Sequence, residues 1–400
     1  MFRSRRLPRV LLAVVVLLPA LAACGPESAA VAPAAAQTGP CPAAGPLAVA
    51  AGGRAGSPQP VLPEQVGRLV QAAVATVHGH TEGPKVSVVS VDGRPEVTAS
   101  AMFFSDGNNS AALENDRAGF VRKFATAVTS VRAKVAEADV LGALAVAAHA
   151  TGDGAGTVVL VDSGLQTVPP LDFRQPGLLD ADPGEVAGAL GDAVPDLRHK
   201  TVLLAGIGDT AAPQAPLDTA RHNQLTELYK AIAKAGQADC VAVLPEPHGG
   251  AAPAGVPAVG AVPVPPPGNL DPDQFTKLVL PDDGKVGFRP DSAEFRDAAA
   301  AGEVIAPVAR WLAARGRRGV RLTGTTARTG DRAGQIALAD ARANAVAGLL
   351  VERGAERAQI ATAGVGSYFD GYVPDHHPDG SLIPAAAARN RTVIVEVTRR

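Results

Sequence analysis

Between residues 46 and 245, short apolar and β-branched runs alternate with stretches of helical period, and this alternation restricts the fold more than any other feature. The extended runs fall at 47–51, 86–92, 97–104, 157–161, 201–206 and 240–244. The helical stretches fall at 63–78, 115–135, 139–150, 183–191 and 217–235. Strands that alternate with helices call for a parallel sheet covered on both faces, because each helix must bury its apolar stripe against the sheet. Asp92-Gly93 between the second and third runs is a hairpin turn signal. The expected fold class is therefore α/β, a doubly wound and mostly parallel sheet with one antiparallel hairpin at its edge, followed by a smaller α+β domain.

The boundary between the two parts lies where eight prolines and four glycines fall between Pro245 and Pro267. Such a stretch favours extended, semi-rigid polyproline conformations, so residues 246–274 read as a linker separating a 46–245 domain from a 275–400 domain.

At the start of the chain Arg3, Arg5, Arg6 and Arg9 precede an apolar run from Val10 to Leu21, the layout of an export signal. The run is too short for a hydrocarbon core that needs roughly 20 helical residues, and Pro19 interrupts it. Leu21-Ala22-Ala23-Cys24 resembles the lipobox of bacterial lipoproteins, which implies removal of residues 1–23 and diacylation of Cys24. Two acyl chains give stable membrane residence. The protein is then expected at the cell membrane, lipid-anchored and facing outside the cytoplasm. Residues 24–45, rich in alanine and proline, read as a disordered stalk. The net charge of −2 gives no sign of a nucleic-acid partner. Cys41 and Cys240 remain in an oxidising compartment, either bonded to each other or separately buried; the sequence leaves both open.

The order strand, helix, hairpin, two helices, then alternating strand and helix resembles a von Willebrand factor A-like domain. That family holds a divalent metal with an Asp-x-Ser-x-Ser motif after the first strand. The matching stretch here is Gly53-Arg54-Ala55-Gly56-Ser57, which keeps only the last serine. A hard cation needs oxygen ligands, which glycine and alanine side chains lack, so no metal and no cofactor is expected. Asp162 is expected to cap the turn that follows its strand. Arg54, Asp162 and Asp209 are expected to rim the crevice beyond the strand ends. Asp162-Ser163-Gly164 lacks a nucleophile elbow, and His149, His199 and His222 are scattered, so no catalytic residues are assigned.

In the last part an extended run at 285–289, a helix at 292–315 and a strand at 319–323 lead into Gly324-Thr325-Thr326-Ala327-Arg328-Thr329-Gly330. A helix with Gln335, Leu338, Ala339, Arg342, Ala343 and Val346 follows, and a closing Asn390-Arg391-Thr392-Val393 begins the last strand. This spacing resembles the OmpA-like peptidoglycan-associating domain, whose signature is Gly-His-Thr-Asp-x-x-Gly and then Leu-Ser-x-x-Arg-Ala-x-x-Val on a helix. The resemblance implies a pocket for the diaminopimelate unit of the wall peptide. Thr326, Gly330, Arg342, Asn390 and Arg391 keep its positions, and an arginine fork suits a carboxylate. The family's aspartate is replaced by Ala327, its histidine by Thr325, its serine by Ala339 and its asparagine by Gln335. The alternative for Arg342 is a structural pairing with Asp331 or Asp340. The segment 367–389, with Asp370, Asp375, His376, His377 and Asp379, reads as a solvated loop whose Tyr368, Phe369 and Tyr372 rim a surface beside Arg342.

Two functions follow as expectations. One is a non-enzymatic envelope lipoprotein with peptidoglycan as partner. The other is a protein-interaction or sensing module at the outer face of the membrane, with a protein partner for residues 46–245 and no wall binding.

Overall fold

The computed structural model describes residues 41–42, 45–78, 81–246, 249–264, 272–273, 275–281, 285–314 and 318–399. The signal segment 1–23, Cys24 and the stalk up to residue 40 lie outside the described residues, as do linker positions 247–248, 265–271 and 274.

Six strands form the first sheet: β1 (Leu47–Ala51), β2 (Lys85–Ser90), β3 (Val97–Met102), β4 (Gly156–Val161), β5 (Lys200–Ala205) and β6 (Cys240–Val243), in the order β3-β2-β1-β4-β5-β6. Every pairing is parallel except that of β2 with β3, the expected edge hairpin. Alternate residues face two cores: Ala48 and Ala50 join Val158 and Leu160 on one side, while Leu47, Val49 and Ala51 join Val159 and Val161 on the other. A strand buried on both faces reads as a near-continuous apolar run, which is why GTVVLV and LAVAA were legible as strands. Helices α1 (Glu64–Ala75) and α2 (Ser110–Thr129) cover one face. The other is covered by α3 (Val140–Ala150), α4 (Pro183–Ala189) and α5 (Thr219–Ala235). Aspartate or asparagine side chains cap four of these helices, Asn109, Asp139, Asp182 and Asp218, each accepting from a first-turn N–H that otherwise lacks a partner.

A smaller four-stranded sheet, ordered β7-β10-β8-β9, combines β7 (Lys277–Pro281), β8 (Arg318–Thr325), β9 (Ile360–Gly366) and β10 (Thr392–Arg399). The β8–β9 pair is parallel and β10 runs antiparallel to both β7 and β8. Helices α6 (Ala298–Ala313) and α7 (Arg332–Glu352) pack Ile305, Val308, Leu312, Val346 and Leu350 against its inner face. The run expected as a strand at 285–289 is instead an irregular segment. Its Val286 and Phe288 are buried, with Phe288 stacked on Phe295 at 4.7 Å, whereas the ladder belongs to 277–281.

Two further expectations change. Residues 251–262 do not simply space the two parts: Ala251 O accepts from Gln59 N at 3.0 Å, and Val262 exchanges hydrogen bonds of 2.7 and 3.0 Å with the Gln214 side chain while joining the first core. The 367–389 segment is not a solvated loop either. It buries Asp375 and ends in α8 (Pro384–Asn390), whose Ala385 and Ala388 belong to the core of the six-stranded sheet. Cys41 and Cys240 are disulfide-bonded, joining the segment before β1 to the first residue of β6. Among the described residues no helix is long and apolar enough to cross a membrane.

Candidate functional site

In the six-stranded sheet the chain moves outward through β2 and β3 on one side of β1 and through β4, β5 and β6 on the other. The loops after β1 and β4 therefore meet at the switch point where ligands of such sheets sit. They supply Arg54 and Asp162. Arg54 Nε donates to Asp162 Oδ2 at 3.0 Å and Nη2 to Oδ1 at 2.7 Å, and Nη2 also reaches Ser163 Oγ and Leu165 O at 2.9 and 3.2 Å. Both side chains are buried, so they do not rim an open crevice as expected; only a fork that matches both carboxylate oxygens makes such burial tolerable. Gly52 is required here, because a Cβ on it would lie 1.9 Å from Asp162 Oδ2. Asp162 also accepts from Gly164 N at 2.7 Å, capping the turn. Asp209 stays partly exposed, 3.4 Å from His222 Nε2. The surviving serine, Ser57, accepts from Ser163 N at 3.2 Å. Residues 259–262 and Gln214 lie over Arg54. The positive charge beside Asp162 is thus an internal guanidinium, and among the described residues no cluster of three or more His, Cys, Asp or Glu is placed to hold a metal.

In the smaller sheet the loop leaving β8 meets the start of β10. Thr325 Oγ1 donates to Asn390 O at 2.7 Å and lies 2.8 Å from Thr392 Oγ1. Thr326 donates its N–H to Gly366 O at 3.0 Å, but its buried hydroxyl has no hydrogen-bond partner among the described residues. Gly330 adopts a positive φ of 71°, and its carbonyl accepts from Gln335 Nε2 at 3.0 Å, while Gln335 Oε1 accepts from Ser367 Oγ at 2.7 Å. Asn390 pairs through both side-chain atoms with the Val373 backbone, at 2.9 and 2.7 Å. Arg391 grips Glu185 of α4 bidentately, at 2.7 and 2.5 Å. Thr326, Asn390 and Arg391 therefore lie together where β8 meets β10. Arg342 turns elsewhere: it is buried on α7, donates from Nε to Ser292 O at 3.0 Å and lies 5.1 Å from the Phe288 ring centre. Asp331 caps α7 through Gly334 N, and Asp340 accepts from Asn344.

The residue that sequence reasoning undervalued is Asp375, noticed only as part of a polar loop. It accepts from Arg328 N at 2.9 Å, Tyr372 Oη at 2.6 Å, Asn390 Nδ2 at 3.0 Å and His376 Nδ1 at 2.8 Å. A carboxylate thus reaches the backbone beside Ala327, the position where the resembling family carries its own aspartate. Burial alone would raise the Asp375 pKa, but the four donors outweigh it and hold it below the usual aspartate value. Burial, and after it the bond to Asp375, push the Tyr372 hydroxyl up to about 12. Tyr368 stays exposed and carries the Arg332 guanidinium at 4.4 Å from its ring centre. A depressed folded-state pKa stabilises the fold above the ordinary aspartate value, and that contribution disappears as pH falls through the folded value. The Asp375→Asn variant is expected to lose about 2 kcal/mol of unfolding free energy near neutral pH. Its deficit should shrink on acidification below the ordinary aspartate range, as read by urea unfolding at stepped pH. A deficit independent of pH contradicts the assignment.

A sequence model described as the OmpA family matches residues 287–378. Solved structures similar to this part include the peptidoglycan-associated lipoprotein from Burkholderia pseudomallei, 22% identical over 30% of this chain and 89% of that chain, with a TM-score of 0.25. The periplasmic domain of Helicobacter pylori MotB is 19% identical over 32% of this chain and 84% of that one, with a TM-score of 0.26. The OmpA-like domain of FopA1 from Francisella tularensis is 18% identical over 31% and 75%, with a TM-score of 0.23. No curated protein matches the chain. Residues 287–378, which take in α6, β8, α7 and β9 of the smaller sheet, therefore carry an OmpA-like domain.

Proposed function

We propose that the chain is a non-enzymatic lipoprotein of the cell envelope, anchored by lipid on Cys24, whose OmpA-like domain associates with the wall peptide of peptidoglycan. The observation that carries this reading is the Thr326 hydroxyl. It is buried, it lacks a partner among the described residues, and it stands on the loop where the resembling family holds its ligand. A buried hydroxyl left unpaired costs free energy, so its retention is explained when a ligand supplies the missing hydrogen bond. Arg391, reached one step beyond the Thr325–Thr392 contact, adds a guanidinium fork suited to a carboxylate. Residues 46–245 serve in this reading as a von Willebrand A-like module for a protein partner. The β3-β2-β1-β4-β5-β6 order with its antiparallel edge supports that assignment. The disulfide supports an oxidising compartment outside the cytoplasm.

The test is sedimentation of residues 37–400 with isolated sacculi. Retention should be saturable, and Thr326→Val should weaken it roughly fivefold, the scale of one hydrogen bond, while leaving thermal stability unchanged or slightly raised. A chain that never sediments, even when the Glu185–Arg391 pair is removed by Glu185→Ala, overturns the proposal.

A further inference from the structure

Glu185 and Arg391 are separated by 206 positions and belong to different sheets, yet they form a two-point, fork-to-carboxylate pair at 2.7 and 2.5 Å. Both side chains are largely shielded from solvent. The contact is built into the fold at several places. Glu185 is fixed in the first turn of α4 by the Asp182 cap. The neighbouring α8 lays Ala385 and Ala388 into the core of the six-stranded sheet. Gly177, at a φ of 90°, sits so close to α8 that a Cβ on it would lie 2.4 Å from Ala385 O. Arg391 itself follows directly on Asn390, whose side chain is held by Val373 and Asp375, so the backbone that carries Arg391 is anchored on residues other than Glu185.

We infer that Arg391 is a carboxylate-binding residue whose place is taken, in the docked form, by the carboxylate of Glu185, and that a carboxylate of the wall peptide competes with Glu185 for it. The inference rests on the wall-binding reading and deepens it by assigning the regulation of that site. Two observations beyond the pair favour an exchangeable contact over a permanent brace. Glu185 lines a cavity of about 970 Å³ between α4 and the 377–385 segment, together with Val186, Leu190, Asp379, Leu382 and Ile383. That volume is in the range of binding sites for small molecules and short peptides. The Thr326 hydroxyl, one residue from the Thr325 contact with Asn390 and Thr392, has no internal substitute for its own missing partner. The internal ligand thus satisfies the charge but not the whole site. A ligand that offers both a carboxylate and a hydrogen-bonding group gains what Glu185 alone cannot supply.

The consequence is mutual exclusion. Wall peptide on Arg391 frees α4, and a docked α4 weakens wall binding by the differential affinity of the two states. The test measures sacculus binding of residues 37–400 as wild type, Glu185→Ala, Arg391→Ala and the double variant. Glu185→Ala is expected to bind about tenfold more tightly than wild type, the scale of one charge-assisted bidentate pair, and the double variant is expected to lose that gain. Glu185 lies in the first turn of a short helix that Asp182 caps through backbone N–H groups, and alanine is a good helix former, so alanine there preserves the helix. If wild type and Glu185→Ala bind equally, the competition is overturned while the wall-binding reading stands. If neither binds, both fall. If the double variant keeps the whole gain, Arg391 is not the contested residue and the inference is overturned.

Discussion

Replacing Cys41 or Cys240 with serine is expected to lower the unfolding free energy of the chain by about 5 kcal/mol, the size the chain-entropy relation gives for a loop of this length. The bond closes a sequence separation of 199 residues, so in the unfolded chain it removes far more conformational freedom than a short loop does. Its position adds to the effect. Cys41 is buried in the core shared by β1, β2 and α1, and Pro42 O beside it accepts from Thr201 Oγ1 at 3.0 Å, so the segment before β1 is held along the β5–β6 edge. Without the bond, β6 is a four-residue edge strand paired on one side only. Guanidinium unfolding of the two single variants and of the reduced wild type should show the same loss, since all three remove one crosslink. A serine variant as stable as the oxidised protein, or a reduced wild type much less stable than the variants, contradicts the assignment.

The parts of the fold that were readable from the sequence are those where one residue pattern admits one physical explanation. GTVVLV and KTVLLA end in unbroken apolar runs, Val158–Val161 and Val202–Ala205, because both faces of a central parallel strand are covered. The starts of α3 and α4 lie close to where the helical periods at 139–150 and 183–191 begin, and in the structure Asp139 and Asp182 supply their caps. The misplaced strand at 285–289 failed for the opposite reason. Alternating Val286 and Phe288 report burial, which stacking on Phe295 satisfies without any ladder, whereas the true edge strand KLVLP is a short run whose Val279 is 47% exposed. Composition misled twice more. Proline and glycine at 251–262 exclude regular ladders but not packing, and Val262 is buried through two bonds to Gln214. The alanines of α8 looked like filler in a loop, although small side chains are what allow close approach to the neighbouring sheet.

The candidate sites were less legible because they depend on long-range pairing. Thr326, Asn390 and Arg391 could be marked from the resemblance, but nothing local in PGEVAGA marks Glu185 as the partner of Arg391. Arg342 could be read either as a carboxylate receptor or as a structural residue of its helix, and in the structure its Nε donates to Ser292 O. The carboxylate beside Ala327 comes from Asp375, 48 positions away, so the position reads as lost when only the local motif is considered.

The second large effect is expected at the sheet's switch point. Asp162→Asn and Arg54→Met are each expected to destabilise the chain by about 3–5 kcal/mol, whereas the double variant Arg54→Met/Asp162→Asn should cost clearly less than the sum of the two. Each single change leaves the partner's charge buried: Asp162 would keep only Gly164 N, and Arg54 would keep the neutral oxygens of Ser163 and Leu165. A lone buried charge has no solvent to repay its desolvation, because both side chains are buried and residues 259–262 and Gln214 line the small cavity beside Arg54. Removing both charges removes that penalty together with the attraction. Gly52→Ala should act on the same pair from outside it, since the added methyl must displace the Asp162 carboxylate. The cycle also bears on chemistry. In the von Willebrand A-like family, which the element order resembles, the stretch after the first strand holds a divalent cation; in this chain Arg54 stands after β1 and pairs with Asp162. Calorimetric titration with magnesium or manganese should therefore show no tight binding in the wild type, and unfolding of the cycle should give the same coupling in chelator as in magnesium. A coupling that vanishes in chelator would mean that a metal, and not the guanidinium, holds Asp162.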